Sequence, residues 1–312
     1  MMVNKTVKAS VEVIYGKNDM AKICFETGID RLNWTVEPGI DDALEYIATN
    51  KGSRQGCLLE LKSHYYAKSL LAWFKDGDLE QLRQHAYTSA KLYRLYYQRA
   101  NSVWQGAFCH FMALISDHEP LISWYSQFIS PLYRVTGGKA VRNRVGCPEY
   151  HAFQAILALQ GKWDLLGERA EYILANPPGK KMAKYQIDHE FYLALAKGDV
   201  PAMEQVLNNL TGPKAKVRNF DGALGLTEHL MSLFGFIYAK MAWRAGYQVQ
   251  VDSPYLPMEW LPISPLIAYR DEYDFLADFD IFQLFTNEMA PYSPVSEVDK
   301  RVDITVGSSP FV

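Results

Sequence analysis

The sequence predicts an all-α protein built of stacked antiparallel helical hairpins, tetratricopeptide-like but with irregular repeats, and with a short extended segment near the C-terminus. Two observations carry that fold class. Apolar residues recur at steps of three and four over long stretches, which gathers them into one stripe along a helix. In addition, one layout occurs three times: an apolar helix end, a glycine at the turn, and an amphipathic restart. Its instances are "LLAWFKDGDLEQLRQHA" (70–86), "ILALQGKWDLLGERA" (156–170) and "LALAKGDVPAMEQVL" (193–207), with "AKMAWRAGYQVQV" (239–251) as a weaker fourth. Gly161 and Gly198 stand 37 residues apart, but Gly77 to Gly161 and Gly198 to Gly246 are 84 and 48. Only the first of these approaches the ~34-residue tetratricopeptide period, so the repeat is irregular.

Residues 1–36 form an N-terminal segment of uncertain structure, in which "ASVEVIYG" alternates as a short strand would. From Pro38 the pattern becomes helical, and residues 37–250 read as the helical-hairpin body. Leu58, Leu61, Tyr65, Tyr66, Leu70 and Trp73 share a stripe; Leu79, Leu82, Ala86, Ala90, Tyr93 and Tyr97 form the next. Between them "KDGD" supplies a glycine stop and an aspartate N-cap, and so short a link makes the two helices antiparallel. "DHEFYLALAKGD" (188–199) opens as a helical zinc-protease motif would, but Leu193 stands where the second imidazole of HExxH is required. Ile187, Phe191, Ala194 and Leu195 make a stripe instead. Gly198 and Asp199 are the stop and cap, and Val200, Met203, Val206, Leu207 and Leu210 carry the following helix with Pro201 in its first turn.

Residues 251–312 read as a Pro-rich and acidic segment packed on the body. Seven of the fifteen prolines lie there. "DSPYLPMEWLPISPL" therefore cannot be continuous helix and is expected to run over the body, pinned by Tyr255, Leu256, Trp260 and Leu261. "DEYDFLADFDIFQLFTNEM" (271–289) is expected to be one more helix, and the last twelve residues a short strand or tail.

The chain has 312 residues, 49% hydrophobic and 21% charged, as in an ordinary soluble domain. No run approaches the ~18–20 apolar residues of a membrane span, and no apolar stretch follows the N-terminal lysines as a secretory signal would require. Cys24, Cys57, Cys109 and Cys147 are widely spaced. Reduced thiols in the cytoplasm are the expectation. Charge is uneven: residues 250–312 hold eleven acids against three bases, so a mildly basic body carries an acidic end. That pattern suits steering toward a basic protein partner and disfavours nucleic acid, which wants a concentrated basic face.

The seven histidines show no zinc spacing, and "VTGGKAV" (135–141) lacks the rest of a phosphate loop and reads as a turn. Adjacent Cys109 and His110 diverge by about 100° on a helix and make no nucleophile–base pair. No catalytic, cofactor or metal site is expected. The candidate partner-binding residues are Asp271, Glu272, Asp274, Phe275, Asp278 and Asp280. On a helix, Asp271, Asp274 and Asp278 would share one face beside Phe275 and Phe279. A second candidate is a basic loop surface from Arg134, Lys139, Arg142, Arg144, Lys180, Lys181, Lys184, Lys214, Lys216 and Arg218.

"TEHLMSLFGFIYAKMAWRAGYQVQVDSPYLPMEWL" (227–261) resembles the immunity protein 49 family of bacterial polymorphic-toxin systems. The likeness lies in a long apolar helix, an A-x-x-x-G-Y stop, a short extended segment and "SPYLP" leading to a hydrophobic landing. The resemblance implies an all-α, non-catalytic protein that binds and silences one cognate toxin domain; type VI secretion is the expected delivery system, and the missing secretory signal makes the cytoplasm the expected place. The competing expectation is a tetratricopeptide-like scaffold or chaperone that binds peptide segments.

Overall fold

A computed structural model describes residues 19–96, 110–127, 135–136, 139–212 and 225–283. The expected strand in "ASVEVIYG", Tyr97, Cys109 and the last twelve residues lie outside them. The helical pattern begins earlier than Pro38, with α1 at Asp19–Val36. Next come α2 (Asp41–Thr49), α3 (Arg54–Phe74), α4 (Leu79–Tyr96), α5 (His110–Ser116) and α6 (Glu119–Gln127). Val135–Thr136 and Lys139–Ala140 pair antiparallel as β1 and β2. Then follow α7 (Pro148–Leu159), α8 (Trp163–Ala175), the single turn α9 (Gly179–Met182), α10 (Gln186–Lys197), α11 (Val200–Leu210) and α12 (Leu233–Arg244). No described helix is long and apolar enough to cross a membrane.

The three hairpins are α3/α4, α7/α8 and α10/α11. Each stops at a glycine in the left-handed region: Gly77 (φ +68°), Gly161 (φ +64°) and Gly198 (φ +67°). At Gly198 the two closing bonds are present, Gly198 N–H to Leu195 O and Asp199 N–H to Ala194 O. The restart is capped as expected: Asp199 Oδ1 accepts from Ala202 N–H at 3.1 Å, and Asp78 Oδ1 from Gln81 N–H at 2.9 Å.

The fourth instance is corrected. Gly246 (φ +92°) closes α12 in the same way, with Tyr247 N–H on Ala242 O, but no helix follows it. The chain instead runs extended along α11: Gln250 N–H donates to Glu204 Oε1 at 2.7 Å and Ser253 Oγ to Thr211 O at 2.9 Å. No cap follows Gly246, and valines and prolines make extended backbone the easier course.

Gly198 also lies against this segment, since a Cβ there would fall 2.8 Å from the Tyr247 hydroxyl. Gly198→Ala is expected to lose about 1–2 kcal/mol. Gly146→Ala, where a Cβ meets nothing, should be neutral or slightly stabilising. Urea unfolding midpoints of the two variants check this.

One large core holds Phe111, Trp124, Phe153, Phe191, Phe236 and Trp260, all essentially inaccessible. Phe191 stacks on Tyr238 at 4.9 Å, tying α10 to α12. A second cluster joins Ala43 and Ile47 of α2, Leu58 and Leu61 of α3, and Leu92 and Leu95 of α4 to Leu276 and Phe279. The described part of the C-terminal segment is thus part of the core. Leu256, Trp260 and Leu261 are buried as expected, while Tyr255 is half-buried.

Candidate partner-binding surface

Helix α4 carries two stripes. One is the apolar stripe read from the sequence; the other is polar, with Arg83, Gln84, Tyr87, Lys91 and Arg94 all buried. A polar stripe is buried only if something with complementary groups covers it. The cover is the chain from 262 to 283, which lies over α4 as a strap.

Contacts run in order along the strap. Lys240, on α12, donates to Trp260 O at 2.9 Å and Pro262 O at 3.1 Å, and its Nζ lies 2.8 Å from Asp117 Oδ1. Both side chains of this ion pair are 0% exposed. Ser264 N–H donates to Asp117 Oδ2 at 3.1 Å, and Arg83 Nε approaches the same oxygen at 3.8 Å. Burial pulls Lys240 down to about 8 against the opposing pull of Asp117, so it remains a cation at neutral pH. Tyr269 donates to Ser116 O and accepts from Leu266 N–H. The Gln84 amide pairs with both backbone groups of Arg270, giving to its carbonyl at 2.7 Å and taking from its N–H at 3.1 Å. Arg94 closes the strap by donating to Ile281 O and Gln283 O at 2.8 and 2.7 Å, with its guanidinium 4.1 Å from the Trp124 ring centre.

These contacts correct the expected helix over 271–289. Only Asp274–Ala277 is helical (α13), and residues from 284 lie outside the described part. The pattern misled because Leu276, Phe279 and Ile281 turn inward from a chain of short local turns that α4 holds at both ends, Gln84 at Arg270 and Arg94 at Ile281 and Gln283. Asp271, Asp274 and Asp278 therefore do not share a helix face. Asp271 faces α4, where Lys91 Nζ meets it at 2.8 and 3.0 Å and Tyr87 OH donates at 2.9 Å. Burial, then Asp271, push the Tyr87 hydroxyl up, so it stays a donor. Glu272 is half-buried beside Arg270, at 3.4 Å. Phe275 is half-buried and stacked on Tyr273, with ring centres 5.2 Å apart, and Tyr273 in turn shares a 2.8 Å hydrogen bond with Tyr65. Asp274, Asp278 and Asp280 are exposed. Asp41, at the start of α2, adds its charge to this face, where it and Glu272 help push the Tyr273 hydroxyl up after burial and the Tyr65 bond.

Three exposed apolar residues of the same strap were missed by sequence reading: Ile263 (48%), Ile267 (fully exposed) and Phe282 (44%). A signal for Ile263 and Ile267 exists in "LPISPLI", where prolines stiffen a run too apolar for an ordinary loop. The basic surface is less coherent. Arg142 is buried with its guanidinium over Phe153, Arg144 is half-buried, and Lys180 and Lys184 are exposed. The side chains of the other six lie outside the described part.

His189 belongs to a buried polar chain. Arg169 Nε donates to Gln154 Oε1 at 2.8 Å, and the Gln154 amide nitrogen is 3.5 Å from His189 Nδ1. His189 Nε2 is 2.7 Å from His151 Nδ1. Because guanidinium only donates, it fixes the glutamine's orientation, so that His189 accepts at Nδ1 and gives its Nε2 proton to His151. Among the described residues no three His, Cys, Asp or Glu side chains are grouped to hold a metal.

Residues 104–260, just over half of the chain, match the family model described as Immunity protein 49. No curated protein matches the chain. No solved structure matches it.

Proposed function

The chain belongs to the immunity protein 49 family, and from that membership we propose that it binds a cognate toxin domain one-to-one and silences it by occlusion, without catalysis. The strap is proposed as a contact surface. The observation that carries this is the combination on one rigid segment of exposed Ile263, Ile267 and Phe282 with exposed Asp274, Asp278 and Asp280. Apolar anchors beside charges combine affinity with steering. A segment already held by buried bonds loses little entropy on docking. The partner surface that fits is basic with apolar recesses. We place the encounter in the cytoplasm, against a toxin delivered by a polymorphic-toxin system such as type VI secretion.

Asp274→Lys together with Asp278→Lys is expected to leave folding within about 1 kcal/mol, because both carboxylates are exposed. It should weaken toxin binding by about 2 kcal/mol, roughly 30-fold, and flatten its salt dependence. Calorimetric titration at two ionic strengths and protection of toxin-expressing cells read this out. Unchanged affinity in the double variant would move the interface elsewhere. Binding to several unrelated peptides, with no protection, would favour the peptide-binding scaffold.

A further inference from the structure

A cavity of about 210 Å³ opens between α7, α8 and α10, under the turn Asn176–Met182. None of its lining residues belongs to the strap proposed as the toxin contact. We propose that it is a binding site for a small single-ring aromatic acid, of the size of benzoate or phenylacetate.

Size comes first. A cavity of about 150 Å³ suffices for benzene, whereas sites for drug-sized ligands run to roughly 300–1,000 Å³. The volume here lies between, enough for one ring with a small substituent. The walls are apolar: Ile173 and Leu174 from α8, Pro177 and Pro178 from the turn, and Met182, whose thioether is a good neighbour for an aromatic edge. The floor is lined by His151 and His189, whose imidazole rings are 4.8 Å apart between centres.

The site is also preformed. The floor is held by the chain from Arg169 through Gln154, and Arg169 is itself fixed by bonds to Asn143 Oδ1 and Arg142 O at 2.8 and 2.7 Å. The roof contains two consecutive prolines with fixed φ. Charge decides the substituent. Lys180 is exposed at the lining, and none of the lining residues is acidic. An anionic group directed to the mouth meets a cation there while the ring is buried.

The test is titration of the full chain with benzoate, phenylacetate and neutral benzyl alcohol, followed by heteronuclear NMR or calorimetry. Saturable binding of an acid is expected with a Kd on the order of 0.1–1 mM, the usual range for so few atoms. Leu174→Trp, which fills the cavity, should abolish it. Lys180→Glu should weaken the acids at least fivefold and leave benzyl alcohol unchanged. Protection against the toxin is measured in parallel and should be unaffected by Leu174→Trp, so this proposal and the immunity function fail separately. Absence of saturable binding, or binding that survives Leu174→Trp in a folded variant, overturns the site. Loss of toxin binding in Leu174→Trp without any binding of the acids also overturns it, and assigns the cavity to a side chain of the partner.

Discussion

Lys240→Met is expected to destabilise the fold by about 3–5 kcal/mol and to release the start of the strap. The side chain volume is nearly retained, so the loss is electrostatic. Asp117 would be left as a carboxylate with 0% side-chain exposure and without its nearest cation, with only the more distant Arg83 remaining. Trp260 O and Pro262 O would lose their donor in the same step. Pairing the change with Asp117→Leu should recover part of the loss, because a buried ion pair replaced as a unit is often near neutral. Recovery stays incomplete, since the two carbonyls and Ser264 N–H still lack partners. The pair Arg244–Glu119 supplies the control: its 2.6 Å contact is as short, but Glu119 is 67% exposed, and Glu119→Ala should change stability by no more than about 1 kcal/mol. Urea unfolding gives the energies, and hydrogen exchange at the Ser264 and Arg270 amides reports the strap. A loss below 1 kcal/mol for Lys240→Met would show that the pair does not hold it. If the strap is a toxin contact as proposed, binding should fall in step with amide protection.

This buried pair also shows what the sequence could and could not convey. The hairpins were legible because they rest on local chemistry: Gly198 and Asp199 are adjacent, and their roles as stop and cap are fulfilled within one turn of the chain. The apolar stripes were legible for the same reason, since Met203, Val206, Leu207 and Leu210 sit on one face by periodicity alone and are buried together. Lys240 and Asp117 are 123 residues apart, and nothing local marks either as buried. The strap failed as a helix because its periodic apolar residues are real core residues, but Gln84 takes the backbone groups of Arg270 and Arg94 takes the carbonyls of Ile281 and Gln283, leaving only local turns between them. Periodicity reports burial, and only the hydrogen-bond partners decide the backbone.

The common helix face expected for the candidate residues failed through the same non-local logic. A count of acids in 271–280 cannot separate Asp271, which neutralises Lys91 inside the fold, from Asp274, Asp278 and Asp280, which face solvent. A closer look at α4 offers the missing clue. Gln84, Lys91 and Arg94 fall on a helix otherwise rich in core positions, and so many long polar side chains at intervals of three to seven residues call for a polar cover.

The second large effect expected is acid unfolding driven by histidine. His110 is 1% exposed, and burial pulls its imidazole from the usual 6.5 to about 3; His85 is pulled to about 4 by burial and then by Lys68. Burial also lowers His118, to about 4, and His64, and both are more open to solvent. Each folded-state value lies below the unfolded one. The unfolded chain therefore binds more protons between about pH 6.5 and pH 3–4, and stability is full above 6.5 and falls as the pH drops through that window. His110 alone should remove roughly 3 kcal/mol by pH 4.5, and His85 acts in the same direction. Against the 5–15 kcal/mol of an ordinary domain, unfolding near pH 4–4.5 is expected. His110→Phe isolates the effect: the ring packs edge-on to Tyr125 at 6.3 Å, Nε2 has no hydrogen-bond partner to lose among the described residues, and phenylalanine keeps the shape without the proton site. The unfolding free energy of the unmodified chain should fall about 1.4 kcal/mol per pH unit more steeply than that of His110→Phe between pH 5.5 and 4. Carboxylates titrating in the same range contribute equally to both proteins and cancel in the comparison. Equal slopes would mean that His110 is protonated within the folded protein, and the apolar burial assigned to α5 would have to be given up.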